Sequence, residues 1–159
     1  MENLREKRNS FEEACRDIKV GIRKKITRVT CPCCGFPTLE ERGNYDICEL
    51  CNWEDDGQDD KNSSKVWGGP NGKYSLDQAR ENFLEYKIMY SPGNNTTITG
   101  KDSAEREGLK TDLISVFNKM LTASKDSLPS LWKQALKIEK GLYKELCRSI
   151  KEYEKSIKP

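Results

Sequence analysis

Cys31-Pro32-Cys33-Cys34-Gly35 and Cys48-Glu49-Leu50-Cys51-Asn52 constrain this chain more than any other part of it. Each contains a C-x-x-C pair, and thirteen residues separate Cys34 from Cys48. A C-x-x-C turn aims two sulfurs at one point, and two such turns supply the four ligands of a closed tetrahedral site. The expected ligands are Cys31, Cys34, Cys48 and Cys51, around one zinc ion per chain. Iron is the second choice of metal, and a tetrathiolate iron would carry electrons. The interval lets the two knuckles meet across a β-hairpin. The expected fold is therefore α+β: a small zinc ribbon with flanking helices and a C-terminal antiparallel helical hairpin.

Gly35 closes the first knuckle where a Cβ would crowd the tight end of the turn. Asn52 stands at the matching place in the second, and asparagine tolerates the left-handed conformation better than most residues. Cys33 lies between two ligands and competes in principle with Cys34. C-x-C spacing suits a knuckle less well, so Cys33 is left out of the ligand set.

The seven cysteines are Cys15, Cys31, Cys33, Cys34, Cys48, Cys51 and Cys147, and five of them fall within 21 residues. Such clustering without a signal peptide points to metal before disulfides. Cys15 and Cys147 fall on apolar helical faces and read as small core hydrophobes. The chain has no histidine. That excludes a mixed cysteine–histidine site, a histidine general base and a Ser-His-Asp triad. A closed four-thiolate site leaves no position for a reactive water, so the expectation is a protein that is not an enzyme. The N-terminus lacks an apolar signal core and no run approaches a membrane span, so the expected location is cytoplasmic.

Four segments are expected: an N-terminal helix (1–28), the cysteine module with a following helix (29–91), a polar linker (92–103) and a helical hairpin (104–159). Phe11, Ala14, Cys15, Ile18 and Ile22 recur at helical spacing, with Gly21 weakening the end. Ser10-Phe11-Glu12-Glu13 has the form of a capping box, although the helix has room to start near Asn3. Ser75-Leu76-Asp77-Gln78 reads as a second capping box, with a stripe from Leu76 to Tyr90 ended by Ser91-Pro92-Gly93. Leu109 to Leu121 and Leu128 to Ile157 are two long amphipathic patterns joined by a short connection.

In Cys31-Pro32-Cys33-Cys34-Gly35, Arg42-Gly43-Asn44-Tyr45-Asp46-Ile47-Cys48, Cys51-Asn52-Trp53-Glu54-Asp55-Asp56-Gly57-Gln58 and Gly68-Gly69-Pro70-Asn71-Gly72, the chain resembles the bacterial cysteine-rich CPCC family of presumed zinc-binding proteins. The resemblance covers about residues 31–86. It implies a zinc-ribbon-like module extended by a Gly-Gly loop and a helix, and it implies no reaction. Asn52 stands where an aromatic is more usual in that family.

Charge is uneven although the net is only +2. Residues 40–60 hold nine acids against Arg42 alone. The loop Glu54, Asp55, Asp56, Asp59 and Asp60 has three readings: a surface for a basic partner, a second site for a hard cation, or an acid/base pair. The first is favoured, because the loop lacks EF-hand spacing and has no nucleophile beside it. The expected function is non-catalytic binding of another protein, in one concrete form an inhibitor or immunity protein that covers a basic toxin domain. Two alternatives stay open. One is a nucleic-acid-binding ribbon that uses the basic residues of the last helix, among them Lys133, Lys140, Lys144 and Lys151. The other is a four-cysteine iron redox or metal-handling protein.

Overall fold

In the computed structural model, residues 3–20 and 24–159 are described. Gly21 and Ile22, expected at the end of the first helix, lie outside the described residues. Among the described residues four α-helices dominate: α1 (Leu4–Asp17), α2 (Leu76–Tyr86), α3 (Ala104–Met120) and α4 (Leu128–Ile157). No helix among the described residues is long and apolar enough to cross a membrane.

The expected α+β class with a β-hairpin zinc ribbon is overturned. Among the described residues, strand pairing is limited to a two-residue antiparallel ladder, Lys19–Val20 against Lys24–Lys25, and two isolated bridges, Val29 with Leu39 and Ile47 with Glu54. Each bridge closes one knuckle on itself. Val29 and Leu39 exchange backbone hydrogen bonds around the first, and Cys48 N–H donates to the Trp53 carbonyl across the second. The segments between the knuckles, expected to pair with each other, therefore do not. Gly43 (φ 70°) and Tyr45 (φ 61°) turn the chain left-handed there, and a strand cannot continue through that conformation.

Helix α1 begins at the earlier of its two expected starts. Asn3 caps it by accepting from Arg5 N–H. Ser10 is interior, its hydroxyl donating to the Glu6 carbonyl, so no capping box forms there. The Ser75–Gln78 box does form at the head of α2. That helix stops at Tyr86, short of Ser91-Pro92-Gly93, because Lys87 turns left-handed (φ 56°). The Lys87 carbonyl is then taken by the buried Lys110 ammonium of α3 at 3.1 Å, and Asp102 neutralises that ammonium at 2.5 Å. The end of α2 is thus fastened to α3.

Helices α3 and α4 form the expected antiparallel hairpin. The Arg106 guanidinium donates to the Leu142 carbonyl at 2.6 Å, and the Ser103 cap of α3 donates to Glu145 at 2.6 Å. Arg148 and then Ser103, through their hydrogen bonds, hold the Glu145 pKa down to about 2.

One apolar core runs through all these parts. Phe11 of α1, Phe36 of the first knuckle, Phe117 of α3 and Trp132 of α4 form a chain of ring contacts, with centroids 5.5–6.4 Å apart. Leu50, Trp53, Leu76 and Met89 are fully buried beside the second knuckle. The cysteine module therefore sits between α1 and α2 and against the helical hairpin.

Candidate metal centre

The two knuckles adopt the same local geometry. Gly35 N–H donates to the Cys31 carbonyl and Asn52 N–H to the Cys48 carbonyl, each at 2.9 Å. Gly35 has φ 76° and Asn52 φ 70°. Asn52 thus fills the glycine position as its residue type suggested. A Cβ on Gly35 would lie 2.6 Å from Leu4 Cδ1 of α1. Leu4 can rotate aside, but the left-handed strain of about 1–2 kcal/mol cannot be relieved. Gly35→Ala is expected to lower stability by that amount, read as a shift in the denaturant midpoint at unchanged slope.

Cys31, Cys34, Cys48 and Cys51 are all buried, and their Sγ atoms lie within 4.8 Å of one another. The Cys31–Cys51 and Cys34–Cys48 sulfurs are 3.6 and 3.7 Å apart. A tetrahedron with metal–sulfur bonds of ~2.3 Å has an edge of about 3.8 Å, so the cluster is already near the size a thiolate-bound ion requires. The structure brings together all four expected ligands. Cys33 is buried next to them but is not part of the cluster. Cys15 is a core residue, and Cys147 is partly exposed on α4.

The protonation of the four thiols is strongly coupled. Burial pushes Cys31, Cys34 and Cys51 well above the ordinary thiol range. Burial acts on Cys48 in the same direction. Hydrogen bonds from Cys31, Cys34, Cys51 and the Thr38 hydroxyl outweigh it and hold Cys48 well below that range. Thr38 Oγ1 lies 2.9 Å from Cys48 Sγ, and Trp53 N–H donates to Cys51 Sγ at 3.5 Å. Such donors orient thiolates and spread their charge. A cluster of this kind holds one negative charge readily and four only around a cation.

Residues 29–101 match the family model Cysteine-rich CPCC. The resemblance over 31–86 is thereby shown, and the match runs on to the edge of α3. Helices α1, α3 and α4 lie outside it. No curated protein and no solved structure matches the chain.

Within this CPCC module the acidic loop is folded inward. Asp55 is fully buried and receives the Arg42 guanidinium at 2.8 Å and Gly43 N–H at 2.7 Å. Asp59 is shared between Arg8 of α1 (2.7 Å) and Arg42 (2.5 Å). Asp60 pairs with Arg80 of α2 at 2.7 Å. Asp56 accepts from Gln58 N–H and from the Asn71 amide. The peptide groups of Glu54 are clamped by the same Asn71 side chain. Arg42 and Arg8 are thus the residues that sequence reading passed over. The available signal was Arg42 itself, one arginine among nine acids.

Burial alone would raise the Asp59 pKa, but the hydrogen bonds from Arg8 and Arg42 hold it well below the usual carboxylate range. A group whose folded pKa is depressed stabilises the fold above its unfolded pKa of about 4, and loses that effect as the pH falls toward the folded value. Asp59→Asn is therefore expected to be less stable than the wild type at pH near 7. The gap should close below pH ~4. Urea midpoints of both proteins at neutral and acid pH measure it, and a gap independent of pH would refute the assignment.

Proposed function

We propose that the CPCC module is locked by one structural zinc ion and that the chain acts by binding another protein rather than by catalysis. The carrying observation is the cluster of four buried sulfurs at nearly tetrahedral spacing. Soft thiolates in a closed tetrahedral set favour zinc, and a full set leaves no place for a bound water to react. An ion of this kind fixes loops that regular strand pairing does not hold.

The binding surface must come from what the ion and the arginines leave outside. Glu40, Glu41 and Asp60 are exposed, and Glu54 and Asp56 are partly so. Asp55 and Asp59 are held within the fold, so their contribution is to shape this surface. A basic protein, such as a toxin domain held by an inhibitor, is the partner this charge suits.

Native mass spectrometry with elemental analysis of the same sample tests the first half. One zinc per chain supports it. One iron moves the reading to electron transfer, and a folded chain without metal removes it. The second half is tested by cross-linking in the source cell. A recovered basic partner that is lost in a Glu40→Lys/Glu41→Lys variant supports it, and a partner retained by that variant, or none, refutes it.

A further inference from the structure

Helix α4 has 30 residues and α3 has 17. The Ser103 cap of α3 stands opposite Glu145, so residues 146–157 continue for about 18 Å past the start of α3, with Arg148 reaching back to Glu105 at 3.5 Å. Along this overhang Leu146, Ile150, Tyr153 and Ile157 are spaced 4, 3 and 4 residues apart, which is the seam of a coiled coil. Tyr153 is 40 % and Ile157 62 % exposed. Leu146 and Ile150 line an open groove of about 300 Å³, together with Ile47, Glu54, Pro70 and Ile98.

We propose that a second copy of the chain covers this face, with the two α4 overhangs packed antiparallel about a twofold axis between Lys151 and Glu152. The stripe is self-complementary in that register. Leu146 meets Ile157 of the second copy, and Ile150 meets its Tyr153; the twofold repeats both contacts, as an isologous interface requires. The residues flanking the seam are Cys147, Ser149, Glu154 and Ser156. The cationic residues of this basic segment, Arg148, Lys151, Lys155 and Lys158, fall on the outward positions. Two copies therefore approach without facing lysines, and serines at the flanks allow close contact. The register also carries Ile157 and Lys158 of the second copy to the groove in which Glu54 stands, so that the basic tip of one chain meets the acidic module of the other. A parallel pairing would put Lys158 beside Lys158 and leave both grooves unfilled.

Sedimentation velocity of the metal-loaded full chain over a wide concentration range tests this. A concentration-dependent shift from monomer to dimer is expected. Tyr153→Glu/Ile157→Glu should remain monomeric throughout, with an unchanged circular dichroism spectrum because both side chains are exposed, and with a melting temperature that no longer rises with protein concentration. Lys151→Glu, on the outward face, should still dimerise. In a Cys147→Ser background, mixing Leu146→Cys with Ile157→Cys chains under mild oxidation should give a 146–157 disulfide between chains. A wild type that stays monomeric, a Glu variant that still dimerises, or a predominant 157–157 cross-link each overturns the proposal.

Discussion

Cys48→Ser is expected to abolish stoichiometric metal binding and, with it, the cooperative unfolding of the module. Cys48 is the thiol the fold keeps most ready to ionise, with Thr38 Oγ1 at 2.9 Å and Cys34 Sγ at 3.7 Å. The other three are held protonated by burial, so binding an ion must expel protons from them. A serine hydroxyl at position 48 offers neither the charge nor the softness that the site uses. Structural zinc sites contribute on the order of 10–16 kcal/mol of apparent binding free energy, and whole domains have a net stability of about 5–15 kcal/mol. Losing even part of the former exhausts the latter. Elemental analysis should show well under one metal per chain, and thermal melting should become broad and early. Cys33→Ser and Cys15→Ser should both retain the ion, since neither belongs to the cluster. Thr38→Val should retain it too, with faster loss to a chelator. A Cys48→Ser protein that kept one metal per chain and a sharp melt would show that the four sulfurs are not the site.

The cluster of four cysteines was legible because they lie in two local turns whose spacing alone fixes where the sulfurs point. Asn52 was legible for the same reason: its left-handed backbone is a property of one residue in one turn. The β-hairpin was misread because its decision lies elsewhere. Residues 36–39 and 45–47 have strand-forming side chains, but Gly43 and Tyr45 break the path between them. The carbonyls and amides that a hairpin would pair are closed locally by Val29 and Trp53.

The acidic loop shows the same limit. Nine acids against one arginine in residues 40–60 describe a charge but not its direction. Two of the arginines that answer it, Arg8 and Arg80, come from residues outside that stretch. Lys110 was hidden for a like reason. A lysine on an amphipathic helix is ordinarily exposed, and the left-handed end of α2, contributed by another helix, gives its ammonium a carbonyl to meet beside Asp102.

Phe117→Ala is expected to cost about 3–5 kcal/mol. The residue is fully buried on α3 and its ring touches three elements at once. It stacks on Phe36 of the first knuckle at 5.5 Å, meets Phe11 of α1 edge-on at 6.1 Å, and packs against Trp132 of α4 at 6.4 Å. Truncation to alanine leaves a cavity walled by rings that α1, the knuckle and α4 hold in place, so collapse can recover little of the loss. For a chain of this length the melting temperature should fall by roughly 6–20 °C. Phe117→Leu keeps most of the volume and should fall by much less. A second readout separates coupling from simple loss of packing. Phe36 lies two residues after Cys34, and its N-terminal neighbour Gly35 closes the knuckle. A loosened Phe36 should therefore speed metal release to a chelator while the stoichiometry stays at one ion per chain. If Phe117→Ala lowers stability and leaves the release rate unchanged, the hairpin supports the metal centre only by general packing. If stability itself changes by less than about 1 kcal/mol, the aromatic chain does not join the CPCC module to the helices around it. The expected result is movement in both, because the same ring that anchors α3 also forms one wall of the first knuckle's support.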